Sequence, residues 1–179
     1  MPQNITRGIK ALIDEANAEI ETLSAKDAIE ISKNGDVIIV DIRDPREIER
    51  DGRIPGAFAC TRGMLEFWID PQSPYAKPIF QEDKKFVFHC AGGLRSALAA
   101  KTAQDMGLKP VAHIAGGYAA WRDAGGPTEA WEPKKKGGGL TLSTRHSPRR
   151  RGIQYAAPHR LNHNRLGVLD RPIEPGDDS

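Results

Sequence analysis

Cysteine is scarce in this chain: Cys60 and Cys90 are the only two among 179 residues. Two thiols cannot build a disulfide framework, so a disulfide-stapled secreted scaffold is excluded and each thiol needs its own explanation. Long apolar runs are missing too. No stretch approaches the ~18 consecutive apolar residues of a membrane span, and no membrane partner is expected. The opening residues, Met1-Pro2-Gln3-Asn4-Ile5-Thr6-Arg7, lack the apolar core of a secretory leader. A reducing cytoplasm is the expected location, and it keeps a thiol free to work. The five histidines and two cysteines show no metal-ligand spacing, so neither a metal ion nor an organic cofactor is expected.

Net charge is small but unevenly placed. Residues 1–132 hold 16 Lys and Arg against 20 Asp and Glu, whereas residues 133–179 hold 10 against 4. The body is acidic and the basicity belongs to a tail. That tail carries Lys134-Lys135-Lys136-Gly137-Gly138-Gly139, then Arg149-Arg150-Arg151, and shows no sustained periodicity. It is expected to be an irregular, disordered extension over 131–179. It could hold a polyanion nonspecifically, but nucleic acid is not expected as a specific partner. Oligomeric state is left open.

What is present centres on Phe86-Val87-Phe88-His89-Cys90-Ala91-Gly92-Gly93-Leu94-Arg95-Ser96. The aromatic and β-branched start reads as a short buried strand ending at His89. The alanine-rich run from Ala97 to Met106 reads as a helix closed by Gly107. Cys90 thus sits at a strand-to-helix turn, where loop amides and a helix start can face one anion. Charge-assisted bonds from amides are worth about 1.5–3 kcal/mol each, against ~0.3–1 kcal/mol for an exposed helix terminus. The amides are what can hold a thiolate there.

The rest alternates helix and strand. Ile9, Leu12, Ile13, Ala16, Ile20 and Leu23 predict an amphipathic helix filling the N-terminal segment 1–23, from about residue 4 onward. Ser24 caps a second helix, Val37-Ile38-Ile39-Val40 is a buried strand, and Pro45–Arg50 a short helix. A strand is expected to end near Cys60, then a short helix over 63–69 inside an aromatic, proline-rich loop that could wall the site. Val111-Ala112-His113-Ile114 is the last strand, followed by a short helix from Tyr118 with Trp121 in the core. Asp41 and Arg43, beside a buried strand, read as a paired, structural constellation. Cys60 reads as a small buried side chain, with a resolving role for Cys90 open. Such alternation defines an α/β class with a mainly parallel sheet flanked by helices.

Cys90 to Arg95 resembles the active-site loop of the rhodanese family of sulfurtransferases. Three further stretches resemble the same family: Asp41-Ile42-Arg43-Asp44, Gly52-Arg53-Ile54-Pro55-Gly56-Ala57, and Gly116-Gly117-Tyr118-Ala119-Ala120-Trp121. In order and spacing they cover about 24–127, within a domain expected over 24–130. The resemblance implies a rhodanese-like domain in which Cys90 is the nucleophile. Ala91, Gly92, Gly93, Leu94, Arg95 and Ser96 would form the anion-binding loop, and Asp41 and Arg43 its supporting frame. The expected partners are a small sulfur donor, such as thiosulfate or a persulfide, and a thiol, protein or cyanide acceptor. Cysteine phosphatases have a similar loop with one residue more between Cys and Arg; here four separate Cys90 from Arg95. A phosphatase or arsenate-reductase-like enzyme and a noncatalytic carrier or partner-binding domain stand as the rival readings. Arg53 stands where the family often has His. Ala91 stands where many thiosulfate-using relatives carry a basic residue, so thiosulfate is expected to be a poor donor with Arg95 as the loop's only charge.

Overall fold

The computed structural model describes residues 3–131. The expected tail over 131–179 lies outside the described residues from residue 132 onward. Five short strands form one parallel sheet: β1 (Glu21–Leu23), β2 (Val37–Asp41), β3 (Phe58–Ala59), β4 (Lys85–His89) and β5 (Val111–Ile114), in the order β1-β5-β4-β2-β3. The register pairs Asp41 of β2 with His89 of β4, so the ends of the two central strands are level. Six helices flank it: α1 (Ile9–Glu19), α2 (Ala25–Ile31), α3 (Pro45–Asp51), α4 (Leu65–Ile69), α5 (Leu94–Asp105) and α6 (Gly117–Asp123). Among the described residues no helix is long and apolar enough to cross a membrane.

The two-residue period of β4 splits the interior. Phe86, Phe88 and Cys90 pack with Ala97, Ala99, Ala100 and Ala103 of α5, Ala16 of α1, and Leu65 and Ile69 of α4. Val87 points the other way, toward Ala28 of α2 and Tyr118 and Trp121 of α6. The alanines of α5 let that helix lie close to the sheet while keeping high helix propensity. Cys90 therefore belongs to the α5 side of the sheet, and His89 to the α6 side.

The caps follow sequence rules. The Ser24 hydroxyl accepts from the Asp27 amide at 3.2 Å. Asp44 and Glu47 form a reciprocal capping box on α3, with Pro45 in its first turn. One feature differs from the sequence reading. The N-terminal helix stops at Glu19, and residues 21–23 become an edge strand of the sheet, Thr22 pairing with His113. Lys85 holds Glu21 there at 2.7 Å, and the Gln104 amide donates to the Glu19 carbonyl. Tertiary pairing overrides a helical spacing that Ile20 and Leu23 would also satisfy. In the aromatic loop, two 3₁₀ turns at Arg62–Met64 and Pro78–Gln81 join the expected short helix, which runs over Leu65–Ile69. Phe58, Trp68, Phe80 and Phe86 form a chain of ring contacts 5.6–5.8 Å apart that ties it to the sheet.

Candidate active site

Cys90 follows the last residue of β4 and is 1% exposed. Its Sγ accepts the Gly93 amide at 3.2 Å. Gly93 carries φ +89°, and a Cβ there would lie 2.8 Å from the Gly116 nitrogen, so this position requires glycine. Gly92 stands in open space and has no such need. The loop's carbonyls turn to α6: the Tyr118 amide donates to the Cys90 oxygen at 2.7 Å and the Ala119 amide to the Ala91 oxygen at 3.0 Å. The approach is so close that a Cβ on Gly117 would meet the Cys90 oxygen at 2.3 Å.

The two polar residues that close the loop have partners of their own. Ser96 is buried, and its hydroxyl donates inward to the Gly93 carbonyl at 2.9 Å. It also lies 3.4 Å from His113 Nδ1, whose Nε2 is 3.0 Å from the Thr22 hydroxyl. Burial pulls the His113 ring below the ordinary histidine range. Arg95 donates two parallel bonds, 2.7 and 2.8 Å, to Glu47 of α3. Those hydrogen bonds hold the Glu47 carboxyl down to about 2, and the same bonds raise Arg95. The sequence reading took Arg95 as the loop's free charge. In the structure that guanidinium is paired with a carboxylate 48 residues away in the chain, while Cys90 stays within its electrostatic reach.

Beneath the loop lies a buried polar frame. Arg43 Nε contacts both Asp41 carboxylate oxygens, at 2.9 and 3.1 Å, and Nη2 reaches Asp41 at 2.6 Å and the Gly52 carbonyl at 2.8 Å. Arg43 is 0% and Asp41 1% exposed, so this ion pair is the buried pair the sequence led us to expect. The guanidinium sits 4.1 Å from the centre of the Tyr118 ring, and the Tyr118 hydroxyl donates to the Asp51 carbonyl at 3.0 Å. The His89 ring stacks against the Tyr118 ring at 6.1 Å, and its Nε2 lies 3.6 Å from Asp41. Burial pushes it down to about 4, so it is neutral here, and neither ring nitrogen has a hydrogen-bond partner among the described residues. It lines the frame rather than serving the thiol.

Cys60 is fully buried just past β3, and its amide donates to the Asp41 carbonyl at 2.8 Å. Burial drives its thiol up to about 12, the behaviour of an inert core cysteine. Leu94 stands 60% exposed at the start of α5. Arg53 forms a two-residue antiparallel bridge with Glu129 and an ion pair to its carboxylate at 2.6 Å, a closure that needs no histidine. A small cavity of about 140 Å³ beside the loop is lined by Asp51, Ala91, Tyr118, Ala119 and Arg122. A larger one, about 470 Å³, opens by Lys33, Gly35 and Val37 at the start of β2, the strand end away from Cys90. Sequence reasoning gave no role to Glu47 or Arg122 and quoted Tyr118 only within the Gly116–Trp121 stretch; the signal at Glu47, three residues after Asp44, is that of a capping box.

The fold is a parallel α/β sheet with a cysteine just past a central strand, joined through the four residues Cys90–Gly93 to the start of a helix. The family model described as "Rhodanese-like domain" matches residues 24–124. The chain belongs to the rhodanese-like family. It is 28% identical over 102 residues to the thiosulfate sulfurtransferase GlpE of Pseudoalteromonas translucida, covering 57% of this chain and 89% of that protein. It is 29% identical over 91 residues to the mouse thiosulfate sulfurtransferase/rhodanese-like domain-containing protein 3, covering 48% of this chain but only 58% of the relative's length. Among solved structures, a Rhodopseudomonas palustris protein of unknown function, described as a possible tyrosine phosphatase, is 82% identical. It aligns with a TM-score of 0.70 over 72% of this chain and 99% of its own.

Proposed function

We propose that the protein is a sulfurtransferase that carries a sulfane sulfur on Cys90. The observation that carries the reading is the loop. Cys90 Sγ accepts an amide hydrogen at 3.2 Å, and four residues separate it from Arg95. A cradle of that length suits a single terminal sulfur. The Cys90 thiolate attacks the outer sulfur of a donor such as thiosulfate, the S–S bond of the donor breaks, and sulfite leaves with the electron pair. A Cys90 persulfide anion remains, its outer sulfur facing the loop amides. A thiol or cyanide then attacks that sulfur, forming the new S–S or C–S bond and returning the Cys90 thiolate. Two half-reactions at one nucleophile predict ping-pong kinetics.

Electrospray mass measurement of the intact protein after incubation with thiosulfate tests this. The expected result is a gain of one sulfur atom, lost on adding cyanide, absent in Cys90→Ser and retained in Cys60→Ser. An unchanged mass in the wild type, or loss of the gain in Cys60→Ser alone, overturns the assignment. Turnover of an aryl phosphate in place of sulfur transfer would support the phosphatase reading. The pairing of Arg95 with Glu47 weighs against it, because that arginine would have to serve the phosphate.

A further inference from the structure

Arginine is the side chain best suited to hold a multiply charged oxyanion, and the described residues contain eight of them. Six are ion-paired: Arg7, Arg43, Arg50, Arg53, Arg62 and Arg95. Arg46 of α3 is exposed and lines no part of the cavity beside the loop. Arg122, in the last turn of α6, is exposed, has no side-chain partner among the described residues, and does line that cavity.

Position makes the isolation informative. The cavity's other walls are Asp51, Ala91, Tyr118 and Ala119. Ala91 directly follows Cys90, and its carbonyl accepts the Ala119 amide at 3.0 Å. That bond pins the helix carrying Arg122 to the residue beside the thiol. The one acidic wall, Asp51, is already engaged by Arg50 through two bonds of 2.8 Å. Asp51 lies within Coulombic reach of Arg122 as well, so two guanidinium groups share that one carboxylate and a net positive charge remains beside Ala91.

We propose that Arg122 is the donor-selecting residue of this protein: it captures the charged end of an anionic sulfane donor of the thiosulfate class in the cavity beside Ala91. It supplies from α6 the cation that Ala91 does not supply from the loop. The inference rests on the sulfur-transfer reading for its substrate, and on the charge arrangement alone for its site. Arg122 acts on capture. The bonds made and broken at Cys90 are those already given, with sulfite as the leaving group.

Two measurements separate the parts of the claim. The first compares alkylation of Cys90 by iodoacetate and by neutral iodoacetamide, followed by mass. In Arg122→Gln the iodoacetate rate should fall about 3–10-fold at low salt while the iodoacetamide rate holds, as expected for loss of one nearby cation in a partly screened site. Arg122→Lys should keep most of the ratio. The second is steady-state transfer from thiosulfate to cyanide, beside transfer from a neutral organic trisulfide. Arg122→Gln should raise the thiosulfate KM several-fold with kcat unchanged, leave the trisulfide alone, and lose its difference from wild type in high salt. Adding Ala91→Arg to that variant should restore the KM, which a merely structural role for Arg122 would not permit. An unchanged alkylation ratio, or equal losses for charged and neutral donors, overturns the inference. A fall in the alkylation ratio without thiosulfate turnover in any variant leaves the anion site standing and sinks the sulfur-transfer reading instead.

Discussion

At the scale of single residues, the charge of the loop is set by a residue outside it. Glu47 sits on α3 and completes the Asp44 capping box while taking both guanidinium nitrogens of Arg95. The Glu47→Gln variant keeps the cap, since glutamine also serves at the third helical position, and removes the ion pair alone. The folded carboxyl titrates near 2 against an ordinary value of 4.5. The pair's contribution is therefore complete above about pH 4.5 and is lost as pH falls toward 2. Arg95 is 45% exposed, so the contribution is at most ~1 kcal/mol. Urea unfolding across that range should show wild-type stability falling more steeply than Glu47→Gln; parallel curves would mean that solvent screens the pair out. Freed of Glu47, Arg95 should also strengthen thiosulfate capture. Cys90, Asp41 and Arg43 were legible in the sequence because motif spacing and a buried strand end mark them. The Glu47–Arg95 contact was not, because nothing local ties α3 to the start of α5.

At the scale of elements, the site is one joint: β4 ends, α5 begins, and α6 is clipped across the turn. The joint depends on Gly117, φ +58°, whose missing Cβ lets the Tyr118 and Ala119 amides reach the Cys90 and Ala91 carbonyls. Gly117→Ala should cost about 1–3 kcal/mol in backbone strain before any clash. The Cβ contact of 2.3 Å with the Cys90 oxygen must then push the loop away. Thermal melting should fall, and Cys90 alkylation should change rate as the Gly93 amide leaves the sulfur. Gly92→Ala meets nothing within 4 Å and should melt like the wild type. If the two variants behave alike, the clip is not what shapes the loop. The sequence treated Gly92 and Gly93 as one glycine pair; only the backbone angle and the approach of Gly116 tell them apart. The strands show the same limit. β2 and β4 were legible from the apolar runs Val37-Ile38-Ile39-Val40 and Phe86-Val87-Phe88. Residues 21–23 of β1 are too few to carry a period of two, and their pairing with β5 is decided across 91 residues of chain, from Thr22 to His113.

At the scale of the whole molecule, the sheet, both faces of its core and the Cys90 loop all lie within residues 3–131, and the last contacts of that span act as a seal. The Trp121 indole, fully buried, donates to the Pro127 carbonyl at 2.9 Å. Arg53 and Glu129 exchange backbone bonds of 2.8 and 2.9 Å. A chain cut after residue 136 keeps every one of these, so its melting temperature and its turnover should match those of the full chain. A chain cut after residue 126 leaves the indole donor buried without its acceptor, a penalty of about 1–3 kcal/mol, and loses the Arg53 bridge as well. Its melting temperature should drop by several degrees, about 2–8 °C per kcal/mol for domains of this size range. The same pair of chains tests the basic segment. Residues 137–179 carry seven arginines against four acidic residues, and the remaining chain has a slight acidic excess. Retention on an immobilised polyanion at low salt should disappear with the first cut, while sulfur transfer to cyanide persists. A melting temperature that falls as far for the first cut as for the second would mean that residues beyond 136 complete the fold, and the seal at Pro127 and Glu129 would not be its end.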